Sequence, residues 1–288
     1  MRFPQLLGWL CGAALGLVMV GSAQAQMAME PFDGAWDFLG PQARGKVASI
    51  VTHVSPRDWQ SGKLSEKPMY SNKLTFKDGH LVSIGFITPD GTERVDTTID
   101  YDAADRREKI SHTGSFGGGP GVAPKPFTST DTATYDDQGN FKSIAIVRPM
   151  NQPDRTIEFT TEATPEGGKK ISYQLQGPGG PRPATSGPAS APAPEMVTFV
   201  VVYDKGGHPI QRAMLRKGQP DMIVAIACND HGDIETMTFQ GGFKMAYERE
   251  YDAKGNWTKE TKYNIQKLGD KETRVDQEMT TREIKYAD

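Results

Sequence analysis

Polar and apolar residues alternate along much of this chain, and such alternation is typical of antiparallel strands that have one covered face. The clearest stretch is 247–263, which predicts two strands joined by a short turn. Strict alternation places on one face Tyr247, Arg249, Tyr251, Trp257, Lys259, Thr261 and Tyr263, and on the other face Glu248, Glu250, Glu260 and Lys262. This pattern predicts a half-buried antiparallel pair near the end of the chain.

Other segments extend this picture. Residues 198–203 and 222–228 are apolar at nearly every position, which predicts strands covered on both faces, and 280–286 predicts the last strand. Glycine and proline are frequent in 114–126 and 177–194, which are therefore expected to be loops, the second of them disordered.

Helical patterns are scarce along the chain. The best candidate is 41–52, because Pro41 suits a first helical position, although Gly45 weakens the interior. The predicted fold is therefore mainly all-β. It is an antiparallel hairpin-repeat sheet, curved or strip-like, with this short N-terminal helix as a candidate addition.

A six-residue pattern recurs in the second half of the chain. Residues 135–140 and 251–256 both read Tyr-Asp-x-x-Gly-Asn, and 203–208 differ only at the last position. Weaker copies lie at 101–106, 164–167 and 228–233. The aspartate can accept hydrogen bonds from nearby backbone amides, and glycine or asparagine accepts the positive φ of a tight turn. Each copy therefore predicts a hairpin turn.

On these residues the chain resembles the RHS/YD-repeat proteins over about 95–288. Their signature is Tyr-Asp-x-x-Gly-Asn followed by a strand, and 247–263 match it most clearly. The resemblance implies a long sheet that curls into a strip or shell, at the cell surface or in the envelope. Some large members of the family enclose a toxin domain, but nothing in this chain matches such a domain. The resemblance therefore implies an architecture and a location without an activity.

The insertion at 177–194 leaves two domain organisations open. It separates an N-terminal portion, 27–176, from a C-terminal portion, 195–288. One continuous sheet is the favoured interpretation, because the hairpin pattern resumes after the insertion at nearly the same period and small repeat units cannot bury their faces alone.

Residues 1–25 have the pattern of a cleavable secretory signal. Arg2 precedes an apolar stretch at 6–20, and Ala23-Gln24-Ala25 forms a small-x-small cleavage site before Gln26. The apolar stretch is too short for a retained transmembrane anchor. We therefore expect a periplasmic or secreted protein with a mature β domain at 26–288.

The charge distribution argues against nucleic-acid binding, and the cysteine content excludes an internal disulfide in the mature chain. The formal net charge is −3, and basic residues alternate with acidic ones, so the chain lacks the basic stripe of a nucleic-acid-binding protein. Only Cys228 remains once Cys11 leaves with the signal, so the mature chain cannot form an internal disulfide.

No common catalytic or cofactor motif occurs in the sequence, neither a zinc-protease, nucleophile-elbow nor phosphate-loop pattern nor paired zinc cysteines. We therefore expect neither an enzyme nor a cofactor. The one cluster with metal-ligand chemistry contains Cys228, Asp230, His231 and Asp233. It coincides with a repeat turn, so ordinary turn residues beside a small buried thiol are the favoured interpretation over a metal site.

Four aromatic residues of the C-terminal hairpin form a candidate ligand or partner surface. These are Tyr247, Tyr251, Trp257 and Tyr263. They could form a platform for sugars, but such a stripe is more often part of a core.

Three functional hypotheses follow. The leading one is a non-catalytic envelope or secreted β-repeat protein that presents a surface to a protein or glycan. The second is a periplasmic carrier that holds a lipid or another apolar ligand in a curved sheet, suggested by the strands that are apolar on both faces. The third is an unrecognised hydrolase, which would require carboxylates or histidines to converge in one cleft.

Overall fold

The computed structural model describes residues 43–58, 61–88, 90–116, 125–147, 154–176, 196–268 and 271–287. Sixteen β-strands account for most of these residues. The strands are β1 (Val47–Pro56), β2 (Tyr70–Lys77), β3 (His80–Ile87), β4 (Glu93–Tyr101), β5 (Arg107–Phe116), β6 (Lys125–Tyr135), β7 (Phe141–Val147), β8 (Arg155–Ala163), β9 (Lys169–Gln176), β10 (Met196–Tyr203), β11 (Pro209–Arg216), β12 (Met222–Cys228), β13 (Ile234–Phe239), β14 (Lys244–Tyr251), β15 (Trp257–Leu268) and β16 (Lys271–Tyr286).

The strands form one closed barrel in which each strand pairs with its neighbours in the chain. Strand β1 closes the barrel by pairing antiparallel with β16 on one side and with β2 on the other. In this register Ile50 lies between Ile284 and Leu74. The prediction of an all-β antiparallel hairpin sheet is confirmed, and the predicted curvature is complete closure.

The predicted helix at 41–52 is wrong where the structure describes it. Residues 47–52 belong to β1, in which Val47, Ile50 and Val54 are buried. Their branched side chains favour a strand that is covered by its neighbours, and this outweighs the weak helix-start signal. The described part of the chain contains no helix long and apolar enough to cross a membrane.

One predicted boundary and one predicted burial pattern differ from the structure. Residues 114–116 end β5 and 125–126 begin β6, so part of the predicted loop at 114–126 extends the sheet. Strand β12 was expected to be covered on both faces, but Ile223 is exposed while Ile226 is buried. The predicted strand at 280–286 is confirmed as the end of β16.

The face that carries most buried side chains lies inside the barrel, because no other described strand packs against the outside of the sheet. Two apolar clusters occupy this inner face. The first contains Ile144, Ile157, Phe159, Tyr173, Leu175, Val197, Phe199 and Val201. The second contains Val47, Ile50, Leu74, Leu81 and Ile99.

The repeat turns all lie at one rim of the barrel, because alternate connections of an antiparallel meander share an edge. They follow each even-numbered strand from β2 to β14. The connections at the other rim vary more in length, from two residues at 269–270 to the long 177–195. The barrel therefore has a tight-turn rim and a long-loop rim.

The predicted hairpin turns are confirmed in their hydrogen bonds. In the turn at 252–256, Asp252 Oδ1 accepts from the backbone amides of Lys254 and Asn256. Gly255 has a φ of 81°, which an L side chain rarely adopts. The turns that begin at Asp102, Asp136, Asp204 and Asn229 repeat this pattern of two backbone donors on one side-chain oxygen.

The signal sequence at 1–25 and the insertion at 177–194 lie outside the described residues. Strands β9 and β10, on either side of the insertion, pair antiparallel along their length. The portions of the chain before and after the insertion therefore lie in the same sheet.

Candidate functional site

The inner face of β14–β16 and the adjoining part of β1 and β2 carries many polar side chains, and β11 adds Arg212 and Arg216. Between them, the inner face of β12 and β13 is apolar at Val224, Ile226, Met237 and Phe239. The cross-strand register places Arg249 opposite Glu260 and Tyr247 opposite Lys262 on this face. Other residues that the register places there are Tyr70, Asn72, Arg212, Arg216, Asn264, Glu278, Thr280 and Arg282. We call this set, with Arg249, Glu260, Lys262 and Trp257, the polar wall.

A β-bulge explains why the sequence pattern misplaced two of these side chains. The pairing shifts by one residue at Tyr251 and Trp257, just beside the turn. Beyond the shift, Glu260 and Lys262 share a face with Arg249 and Tyr247, although strict alternation placed them on the opposite face.

Arg249 and Glu260 form a buried ion pair at the centre of the polar wall. Their side chains are 8% and 14% exposed, and Glu260 Oε2 lies 2.5 Å from Arg249 Nη2 and 2.7 Å from Nε. Arg249 also donates from Nη1 to the backbone carbonyl of Ile234 at 2.5 Å. Both charges are therefore compensated inside the protein.

Arg282 is a second cation on this wall, and its surroundings differ. Its guanidinium lies over the ring of Trp257, with Cζ 3.2 Å from the ring centroid. Its Nε is buried and has no hydrogen-bond partner among the described residues. Burial lowers the pKa of Arg282 to about 9, against the opposing effect of Glu260 and Asp233, so the side chain is charged at neutral pH.

A third polar group lies further along the wall, towards the long-loop rim. Burial raises the pKa of Glu278, and Lys262 opposes this effect. The pKa of Tyr70 is also raised, first by burial and then by the charge of Glu278. The wall therefore carries both signs of charge along its length.

Solvent reaches the inside of the barrel at mid-strand positions. On β5, His112 faces inward and its side chain is 40% exposed. Its Nδ1 lies 3.1 Å from Thr97 Oγ1, and its Nε2 lies 3.7 Å from Asp131 Oδ2. Closed barrels of sixteen strands are generally too wide for side chains to fill, and the exposure of His112 agrees with that rule.

The candidate aromatic surface is divided between the two faces of the sheet. Tyr247, Tyr251 and Trp257 lie on the inner face, whereas Tyr263 pairs with Ala246 on the outer face. Tyr263 there lies beneath the guanidinium of Arg274, 4.0 Å from the ring centroid. The four rings therefore do not form one platform.

The residues of the metal candidate form a repeat turn, as the sequence favoured. His231 stacks on the Tyr251 ring at 3.9 Å, and Asp233 Oδ2 accepts from the Tyr251 hydroxyl at 2.9 Å. Asp230 is exposed. Cys228 has its Sγ 3.7 Å from a backbone carbonyl, and burial raises its thiol pKa. No group of three metal-ligating side chains occurs among the described residues.

Tyrosines that precede the repeat turns form hydrogen bonds with the hairpin before them, a role that the sequence did not predict. The hydroxyl of Tyr135 donates to the Arg107 carbonyl at 2.6 Å, and that of Tyr101 donates to the Leu81 carbonyl at 3.1 Å. A side chain from the preceding turn covers each ring. The pairs are His80 on Tyr101, Arg106 on Tyr135, His231 on Tyr251 and Lys254 on Tyr286.

The same contacts cross the closure of the barrel. Asn256, which is buried, donates from Nδ2 to the Tyr286 hydroxyl and to the Arg44 carbonyl, both at 2.8 Å. The Arg44 amide donates back to Asn256 Oδ1 at 2.6 Å, and the Tyr286 hydroxyl donates to Asp252. The segment before β1 is thereby fixed to the last repeat turn.

No family model and no curated protein matches this chain. Similar solved structures include a porin-like protein from Bacteroides uniformis, 9% identical, with a TM-score of 0.34 over 84% of this chain and 99% of that one. They also include chains of a Photorhabdus luminescens Tc holotoxin pore and of TcdB2-TccC3, each 13% identical, with TM-scores of 0.23 and 0.25 over 72% and 76% of this chain.

The chain spans only 13% and 15% of those two toxin chains. At such low TM-scores these similarities assign neither a family nor a function. The RHS/YD resemblance therefore stays a prediction, and function has to be argued from the residues of the barrel.

Proposed function

We propose that this protein is an exported, non-catalytic binding protein that carries an apolar or amphipathic ligand, such as a lipid, inside its barrel. The observation that supports this function is the distribution of side chains between the two faces of a closed sheet. The inner face carries the apolar clusters and the polar wall. The outer face is polar on β6, β8 and β9, whereas on β10–β12 it carries apolar side chains such as Val200, Ala213 and Ile223. Export to the periplasm or beyond rests on the predicted signal at 1–25.

On β6, β8 and β9 the outer face is polar, which favours contact of these strands with water. They carry threonine, serine, lysine and glutamate at the positions opposite the buried ones. Examples are Thr128, Thr130, Thr132 and Thr134 on β6, Glu158, Thr160 and Glu162 on β8, and Lys170, Ser172 and Gln174 on β9. Barrels that span a membrane have the reverse pattern, with an apolar band facing the lipid.

The inner face offers a continuous apolar wall to a ligand. Four aromatic rings follow one another across β7–β10. Their centroids are 6.1 Å apart for Phe141 and Phe159, 5.2 Å for Phe159 and Tyr173, and 5.3 Å for Tyr173 and Phe199. Phe159, Tyr173 and Phe199 are already buried, so the surface left for a ligand chain is formed by the partly buried side chains beside them, Phe141, Ile146, Ile171 and Met214. Such surface gains about 25 cal/mol for each Å² removed from water.

Native mass spectrometry with lipid extraction on the mature protein would test this function. We expect a stoichiometric apolar ligand to be released on denaturation. A matched pair of variants on β5 then locates it: His112→Glu adds a charge to the inner face, and Thr113→Glu adds one to the outer face. Loss of ligand in the first variant alone supports binding inside the barrel. An empty wild-type protein that also takes up no added lipid would contradict the proposal.

A second candidate function, a surface for a protein partner, is favoured by the long-loop rim. Large apolar side chains are exposed there where even-numbered strands begin: Met69, Met196, Met222 and Phe243. Met196, Met222 and Phe243 follow one another at every second strand along this rim, and exposed apolar side chains on one side of a protein are typical of interaction sites. Replacing Met222 and Phe243 with serine should then abolish binding of a partner captured by cross-linking without changing the ligand content of the barrel.

A further inference from the structure

We infer that the ligand of the barrel has an anionic head group, a carboxylate or a phosphate, and that Arg282 binds this group on the polar wall. This inference rests on the proposed function. It adds the chemical class of the ligand and its orientation, with the head group on Arg282 of β16 and the chain running past Ile284 towards the tight-turn rim.

Arg282 has no ion-pair partner among the described residues, and this is the first reason to infer an anionic ligand. None of the ion pairs among the described residues includes Arg282, although the other central arginine, Arg249, is fully engaged by Glu260. The described contact of the Arg282 guanidinium is the face of Trp257. The cation–π contact and the nearby charges of Glu260 and Asp233 replace only part of the hydration that this buried guanidinium has lost.

The planar shape of the Arg282 guanidinium indicates which ligand groups it can bind. A guanidinium offers a planar fork of donors that matches the two oxygens of a carboxylate or phosphate, and its Nε is still unused in the described structure. Thr52 and Thr280 lie beside Arg282 on the inner face and can add hydroxyl donors to the same anion. Glu260 Oε2 receives both Nε and Nη2 of Arg249, and no ion pair between Glu260 and Arg282 occurs among the described residues. Glu260 and Asp233 favour the charged form of Arg282 from nearby without pairing with it.

The position of Arg282 explains why the ligand should be amphipathic. Ile284 and Ile50 follow Arg282 and Thr52 on the same face, and both isoleucines belong to the second apolar cluster or pack against it. Ile50 is already buried, but Ile284 is only partly buried, so a chain attached to a head group on Arg282 can contact Ile284. The guanidinium covers the ring of Trp257 that a sugar would stack on, so a neutral glycan fits this site poorly.

The test compares ligands that share one chain and differ in head group. Dodecanoate, dodecyl phosphate and dodecanol would be titrated against the delipidated full-length mature protein by displacement of a fluorescent fatty probe, with inorganic phosphate as a fourth titrant. Hydrogen bonds to charged groups contribute about 1.5–3 kcal/mol, so we expect one or both anions to bind about tenfold to hundredfold more tightly than dodecanol. Preference for dodecanoate identifies a carboxylate ligand, and preference for dodecyl phosphate identifies a phosphate ligand.

Matched variants assign this preference to Arg282. Arg282→Gln should remove the preference for anions, and Arg282→Lys should retain part of it because the charge remains without the planar fork. Arg274→Gln is the control, since Arg274 lies on the outer face of the same strand, paired with Glu248 and Asp276. Circular dichroism and thermal unfolding would show that each variant is folded.

The outcomes separate the two proposals. Equal affinity for anions and dodecanol, or an anion preference that survives Arg282→Gln in a folded variant, overturns the anionic head group and leaves the carrier function in place. Binding of inorganic phosphate as tight as that of dodecyl phosphate overturns the amphipathic ligand. If no ligand with a chain binds at all, both the carrier function and the head-group inference are wrong.

Discussion

At the scale of single residues, two arginines on the same inner face behave differently because their neighbours differ. Arg249 has Glu260 directly opposite it in the register, and the two charges compensate each other. Arg282 has Thr52 on one side, with Trp257 beneath its guanidinium. One arginine therefore stabilises the barrel, and we propose that the other binds the ligand.

Removing one member of the buried Arg249–Glu260 pair should destabilise the protein strongly. Glu260→Gln leaves the Arg249 guanidinium buried without its anion, and we expect a loss of about 3 kcal/mol in the free energy of unfolding, measured by urea denaturation. The control is Glu250→Gln, because the Glu250 carboxylate pairs with Lys259 on the outer face, where the side chains are 64% and 42% exposed. That variant should lose at most about 1 kcal/mol. Equal losses in the two variants would contradict the buried pair.

At the scale of elements, the hairpin turns repeat one electrostatic arrangement. The backbone amides two and four residues after each turn aspartate donate to its carboxylate. In Asp136 the side-chain amide of Asn140 contributes most to lowering the carboxyl pKa, and in Asp102 the side chain of Arg106 does so. The pKa values of Asp204 and Asp252 are lowered as well.

These lowered pKa values predict the pH dependence of stability. A carboxyl with a folded pKa below its unfolded one contributes stability that is complete above the unfolded value, ordinarily 3.8, and is lost as the pH falls through the folded value. We therefore expect the Tm to fall steeply below about pH 4. Replacing the four aspartates with asparagine keeps a side-chain oxygen, as the natural turn at Asn229 does, and should flatten this acid limb. An unchanged acid limb would show that the turns do not cause it.

The turns themselves could be predicted from the sequence, but the faces of the strands that follow them could not. Aspartate, glycine and the aromatic before the turn determine a hairpin locally, so the turns were predictable from their residues alone. The face on which each side chain after Trp257 lies was not predictable. A β-bulge at the turn shifts the alternation of inner and outer residues by one, and it has no clear sequence signal. Glu260 was therefore assigned to the outer face, and the buried pair was missed.

Long-range contacts were out of reach for a related reason. Asn256 was predictable as a turn residue, but its bonds to Arg44 and Tyr286 depend on barrel closure. The sequence allowed a strip or a curved sheet, and only the register of β1 with β16 decides between them. Arg282 carried no motif either, since its importance lies in the neighbours that closure brings to it.

At the scale of the whole molecule, closure can be tested by a disulfide between the first and last strands. His53 lies opposite Thr281, and Thr281 lies opposite Lys259 in the next strand, all on the outer face. Directly opposed residues of antiparallel strands have Cα atoms about 4.5–5.5 Å apart, within the range of a disulfide. In a Cys228→Ser background, His53→Cys with Thr281→Cys should therefore oxidise to a cross-linked monomer, seen by mass spectrometry of the non-reduced protein.

The control pairs His53→Cys with Lys259→Cys, which are two strand spacings or roughly 10 Å apart across the barrel wall. This distance exceeds the reach of a disulfide, so the control should stay reduced. In an open strip, β1 and β16 would lie at opposite ends of sixteen strands, and neither pair would form within one molecule. A cross-link in the first pair alone thus requires the closed barrel, and with it the inner face on which both the ligand and Arg282 depend.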